Sequence, residues 1–139
     1  MDFSLTDEQR EICSTVEELA KKHLNDSVFE DDETSTFPQD KWKMCGECGI
    51  PGLLVPEKFG GSGESLLTTA LAVESLARTC TDEGLVFSLC AHICTCVVPL
   101  MQFGTEEQKN RYLPDLAEGK KIFLNHCFFL LLWELRSLN

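Results

Sequence analysis

The chain has 139 residues, 43% hydrophobic and 25% charged, an ordinary balance for a soluble globular protein that excludes a disordered one. Its 12 basic and 23 acidic residues give a formal charge of −11, a field that disfavours nucleic acid and anionic membrane surfaces as partners. A chain of this order buries about two-thirds of the surface it exposes when unfolded, so one domain needs neither a disulfide nor a metal staple.

The N-terminal stretch MDFSLTDEQR has no basic start before an apolar core, and no Arg- and Ser-rich amphipathic run. No signal or transit peptide is expected, and the chain reads as cytoplasmic. A first helix opens at LTDEQREI, where Thr6 can cap and Gln9 stands three residues later in capping-box spacing. Ile12, Val16, Leu19 and His23 then recur at helical spacing and mark the inward face. An acidic linker containing Glu30, Asp31, Asp32 and Glu33 follows.

FPQDKWKMCGECGIPG reads as a short second helix, with Gly49 left-handed just past its end, Ile50 folding back and Pro51 forbidding continuation. LLVPEKFGGSG reads as a packed irregular loop. Ser65 caps a third helix, apolar around much of its circumference at Leu66, Leu67, Ala70, Leu71, Val73, Leu76 and Ala77, and so expected to lie centrally. A fourth helix runs from about Asp82 to Phe103 and is closed by Gly104. The fifth starts at GTEEQKNRY, where Thr105 and Gln108 repeat the first helix's capping chemistry, and ends near Gly119. No stretch before residue 120 alternates like a half-buried strand, so the expected fold is all-α, a bundle of about five helices.

The fourth helix carries the one suspicious face. In LVFSLCAHICTCVVPLMQF the polar side chains are Ser88, His92, Thr95 and Gln102, and with Pro99 they fall on one side of the helix. Either Ser88 and Thr95 bond back to their own helix while His92 finds a single partner, or the stripe is the wall of a cleft. Eight cysteines sit mostly on apolar helix faces and read as reduced, buried thiols. Cys45 and Cys48 form a Cys-x-x-Cys pair, but the other cysteines near enough to consider lie in mid-helix, which disfavours zinc, and no strand precedes the pair, which disfavours thioredoxin-type redox. GGSG at 60–63 precedes a helix, yet lacks the lysine and strand of a phosphate loop and reads as a turn. No metal ligand set and no catalytic residue is assigned.

Three stretches in order, MDFSLTDEQREI, FPQDKWKMCGECGIPGLLVPEKFGGSG and FGTEEQKNRYLPDLAEGKK, resemble the N-terminal helical domain of the acyl-CoA dehydrogenase family of flavoproteins. The resemblance covers residues 1–121. It implies a family reaction, α,β-dehydrogenation of acyl-CoA thioesters with FAD, whose base and flavin-binding groups lie in the middle and C-terminal domains. It implies further that the fourth helix lines the acyl pocket, with Ser88, Ala91, His92 and Thr95 facing substrate. Polar groups there suit a hydrogen-bonding acyl part better than a plain long chain.

Residues 122–139 depart from that family pattern. IFLNHCFFLLLWELRSLN stands where the family enters its β-domain, and its uninterrupted apolar run, Cys127 to Trp133, is too short for a membrane span of about twenty residues. As a helix, Phe128, Leu131, Leu132 and Leu135 share one face. The reading is a truncated family member, catalytically silent and without bound FAD on its own, that associates with itself or another subunit through exposed apolar surface. The competing reading is a non-enzymatic helical interaction module that docks through this tail.

Overall fold

The computed structural model describes residues 4–122. The tail from residue 123 onward, and the expectations placed on it, lie outside the described residues. Among the described residues the regular structure is entirely helical: α1 (Asp7–Leu19), α2 (Val28–Glu33), α3 (Gln39–Glu47), α4 (Leu66–Thr79), α5 (Glu83–Ala91), α6 (Val98–Phe103) and α7 (Glu106–Ala117). The all-α expectation is therefore what the chain adopts.

Both capping boxes form. Thr6 accepts from the Gln9 amide at 3.1 Å while Gln9 returns a bond to Thr6 at 3.0 Å, and Thr105 and Gln108 do the same at 3.2 and 2.9 Å. Each box satisfies two of the amides that a helix start leaves without partners. Thr105→Ala is expected to cost about 1 kcal/mol in urea denaturation. A cost near zero would mean that the first turn of α7 is held by packing alone.

α1 does not stop at Leu19. It widens into a π turn over Ala20–Leu24, which adds about one residue to the turn and moves the register on. Ala20 and Leu24 are consequently the buried residues, and His23, expected on the inward face, is exposed. Asn25 then fastens the end of α1 to the α4–α5 turn, donating to the Thr79 carbonyl at 2.9 Å and accepting from the Thr81 amide at 2.8 Å.

The acidic linker is a short helix rather than a plain connection. α2 is held from below by Lys41 of α3, whose ammonium reaches Asp31 at 3.0 Å and Asp82 at 3.4 Å. α3 ends as expected, with Gly49 left-handed at φ 79° and Ile50 fully buried. The loop that follows is packed, with Val55 and Phe59 in the core.

α4 is less central than its composition suggests. It packs along α1 with Thr68, Thr69, Ala72, Ser75 and Leu76, a mostly small-residue face that lets the two helices approach closely. Thr69 bonds back to the Ser65 carbonyl at 3.0 Å, and Thr68 pairs with Ser65 at 2.9 Å, so their burial leaves no hydroxyl stranded. Leu66 and Leu67, expected inside, are 66% and 63% exposed, and Ala70 and Ala77 are exposed with them.

Glu83–Phe103 is a single helix with a π turn, His92–Val97, between α5 and α6. It is long and apolar enough to cross a membrane by composition. Here Leu85, Leu89, Ile93, Val97 and Leu100 are all buried in the bundle, so it serves as a core helix. The core has two parts. One gathers α1, α3, α4 and α5 around Trp42, Leu76, Leu85 and Leu89, and the other gathers Val55 and Phe59 with Val97, Leu100, Leu113 and Leu116.

Candidate functional site

The candidate wall is built on the helix of α5 and α6. Asp82 starts it, accepting from the Leu85 amide at 2.9 Å. Two turns on, the Ser88 hydroxyl donates to the Gly84 carbonyl at 2.8 Å, and the Thr95 hydroxyl donates to the Ala91 carbonyl at 2.7 Å. Both hydroxyls thus spend their proton on their own helix and keep only oxygen lone pairs to offer a neighbour.

The π turn splits the four expected residues. Val98 N–H bonds to the Ile93 carbonyl, five residues back, and the widened turn carries Thr95 out of line with His92. Thr95 is exposed and Ala91 half-buried, whereas Ser88 is 8% and His92 0% exposed. His92 points into the bundle: its Nε2 meets the Leu116 carbonyl at 3.1 Å, and its ring lies edge-on to Trp42 with centroids 5.4 Å apart. Burial pushes the His92 pKa down, and the Leu116 hydrogen bond offsets only part of that.

Chemically, the exposed side of this helix offers shape and weak acceptors. No Asp, Glu, Lys or Arg occurs from Gly84 to Phe103, so a proton-abstracting carboxylate is not part of this wall. Phe87 and Phe103 are 71% and 66% exposed and add apolar surface on the same helix.

The other motifs resolve into structure. The Gly-rich turn at 60–63 has its amides committed: Gly61 N–H bonds the Pro56 carbonyl, Ser62 the Gly52 carbonyl and Gly63 the Val55 carbonyl, and the next residue, Glu64, bonds Leu53. With those donors spent, this loop does not present an open amide cradle for an anion. Cys45 is fully buried and its thiol is pushed up to about 12 by desolvation, with the neighbouring Cys80, Cys48 and Asp82 adding to it. It is a neutral thiol at physiological pH and a poor nucleophile or zinc ligand. Among the described residues no cluster of three His, Cys, Asp or Glu side chains stands ready for a metal.

Among the described residues, two of the surface grooves are well defined. One of about 360 Å³ is floored by Ile12, Val16, Ile50 and Leu53 and edged by Glu8, Glu11 and Glu64. The other, about 520 Å³, lies where Trp42, Gly119 and Ile122 meet. Neither is lined by Ser88, Ala91, His92 or Thr95.

Two side chains of structural weight, Lys41 and Trp42, were not singled out from the sequence. Lys41 left one trace, a cation that follows the acidic stretch at 30–33. Trp42 left none, since its partner, the Gly119 carbonyl, is distant in the chain.

Comparison with known proteins places this geometry. A profile of the acyl-CoA dehydrogenase N-terminal domain matches residues 6–120. The short-chain-specific acyl-CoA dehydrogenase of Clostridium acetobutylicum is 38% identical over 122 residues, covering 88% of this chain and 32% of that protein. The L-prolyl-[peptidyl-carrier protein] dehydrogenase of Pseudomonas fluorescens is 35% identical over 125 residues, covering 90% of this chain and 32% of that protein. The solved structure of PigA with FAD and proline superposes with a TM-score of 0.81 at 38% identity, covering 88% of this chain and 32% of that one. The chain thus spans about a third of the length of the curated relatives it matches. With its helical order, its capping boxes and the profile match all agreeing, the chain belongs to the acyl-CoA dehydrogenase family, of which it carries the N-terminal domain.

Proposed function

We propose that this domain supplies one wall of the acyl-binding cleft of a flavin-dependent acyl-CoA dehydrogenase, and that residues 1–139 by themselves do not catalyse the reaction. The match to the family's N-terminal domain over residues 6–120 carries this reading. The wall is the outer side of α5 and the π turn after it, with Ala91 and Thr95 toward the acyl part, buried Ser88 at its edge and His92 behind them. Silence follows from the chemistry: removing a proton and a hydride needs a base and FAD, and neither a carboxylate on this helix nor an amide cradle in the Gly-rich loop is available. The exposed hydroxyl oxygen of Thr95 favours an acyl part that can donate a hydrogen bond, and the similarity to an L-prolyl-[peptidyl-carrier protein] dehydrogenase fits that preference.

Purified residues 1–139 mixed with FAD and an acyl thioester are expected to give no stoichiometric flavin and no thioester-dependent bleaching; the opposite result overturns the silence. Joined to the remaining two-thirds of the Clostridium relative, the domain is expected to give a flavoenzyme. In it, Thr95→Leu shifts acyl preference several-fold in kcat/KM. An unmoved preference removes Thr95 from the wall.

A second reading rests on the uncovered Leu66 and Leu67 at the start of α4. In it the domain is an assembly module that pairs with itself or another subunit, with residues 122–139 as docking element. Sedimentation of residues 1–139 against 1–121 separates the two: assembly that vanishes with the tail supports the module.

A further inference from the structure

Three elements meet where α7 ends, and two side chains hold that turn. His92 faces the Leu116 carbonyl at 3.1 Å through Nε2, and Trp42 donates from Nε1 to the Gly119 carbonyl at 2.8 Å. The rings touch edge to face, so the α5–α6 helix, α3 and the end of α7 close on one seam. A carbonyl only accepts, so the His92 proton sits on Nε2 and Nδ1 is a bare acceptor. That Nδ1 is buried without a hydrogen-bond partner, on a residue with 0% exposure. A second proton would place both a charge and an unmet N–H against apolar neighbours.

Among the described residues no side chain bonds Nδ1, and charged groups of the packed elements are paired elsewhere. From α3, Lys41 turns to Asp31 and Asp82, and Lys43 to Glu47. From α7 and its terminal turn, Asp115 pairs with Lys121 and Glu118 with Lys120. On its own helix the titratable neighbours are the thiols Cys90, Cys94 and Cys96. The loop-side core of Val55, Phe59, Val97, Leu100, Leu113 and Leu116 is separate from the core around Leu76 and Leu85, so one can loosen while the other holds.

We propose that His92 is a proton-operated latch: neutral, it seats the terminal turn of α7 against α3, and a proton taken from solvent at Nδ1 opens that seam while the α1–α4 core stays closed. The N–H bond that forms at Nδ1 is balanced by the O–H bond that breaks in hydronium, which leaves as water. Opening is therefore coupled to one proton, and between the unfolded and folded His92 pKa the open-to-closed ratio rises up to about tenfold per pH unit as pH falls below roughly 6.5.

Amide hydrogen exchange on the full chain, corrected for intrinsic rates, tests this. The Glu118 and Gly119 amides, which bond to Pro114 and Leu116, are expected to lose protection with that slope while the α4 amides keep theirs. In His92→Gln the side-chain amide still reaches the Leu116 carbonyl but cannot titrate, and protection of the turn is expected to stay flat. An unchanged slope in His92→Gln overturns the latch. Should that variant fail to fold, the wild-type chain decides alone: α7 and α4 amides losing protection together is general acid unfolding and overturns it equally, and loss confined to α7 supports it.

Discussion

Trp42→Ala is expected to cost roughly 3–5 kcal/mol, a large share of the stability of about 5–15 kcal/mol that a domain of this size commands. The indole is 2% exposed, packs against Phe37 at a centroid distance of 6.0 Å as well as His92, and donates to the Gly119 carbonyl. Its removal leaves a cavity at the seam and a buried carbonyl without its donor. The seam cannot close over that cavity, because backbone already meets backbone there: a Cβ on Gly46 would stand 2.5 Å from the Glu118 oxygen. Trp42→Phe narrows the comparison, since a six-membered ring remains while the N–H and the rest of the indole are lost. About 1–3 kcal/mol is expected for it. Urea midpoints for the two variants measure the difference. Equal costs would assign the whole effect to the hydrogen bond and refute the packing account.

What the sequence disclosed and what it hid follow different physics. Caps and stops are local chemistry: Thr6 with Gln9, Thr105 with Gln108, and Gly49 before Ile50 and Pro51 name their own partners within a few residues, and each forms as expected. The π turns were not legible, because an apolar pattern such as Leu85, Leu89, Ile93 and Val97 fits an α-helix about as well as a widened one. That ambiguity displaced His23 from its expected inward face and left Thr95 exposed where His92 is buried. Circumference counting also failed for α4, where Leu66 and Leu67 are exposed and Thr68 and Thr69 buried. Burial there was decided by which small residues let α1 approach, and the hydroxyls supplied their own hydrogen bonds. Within the candidate wall the sequence could not show which partners His92 would meet, since Leu116 and Trp42 come from α7 and α3.

Lys41→Met is expected to destabilise the domain by about 3 kcal/mol, although methionine keeps the buried apolar stem. The ammonium is 10% exposed and lies between Asp31 and Asp82, whose side chains are 25% and 11% exposed; without it, Asp82 stays committed to capping α5 and cannot turn out to water. The pH dependence follows from the same geometry. Burial alone would lower the Lys41 pKa, but the hydrogen bond it donates to Asp31 and the charges of Asp31 and Asp82 outweigh it, so the folded value lies above the ordinary one. A raised folded pKa means that the stabilisation is complete below the unfolded value of about 10.4 and fades as pH climbs through the folded one. Wild type minus Lys41→Met, taken from urea midpoints between about pH 8 and 11, should therefore hold steady at first and shrink only at the alkaline end. The two proteins share every other titratable group, so the subtraction removes those contributions. A difference that shrinks instead on acidification toward the carboxylate range would show that the aspartates, and not the lysine, set the strength of this junction.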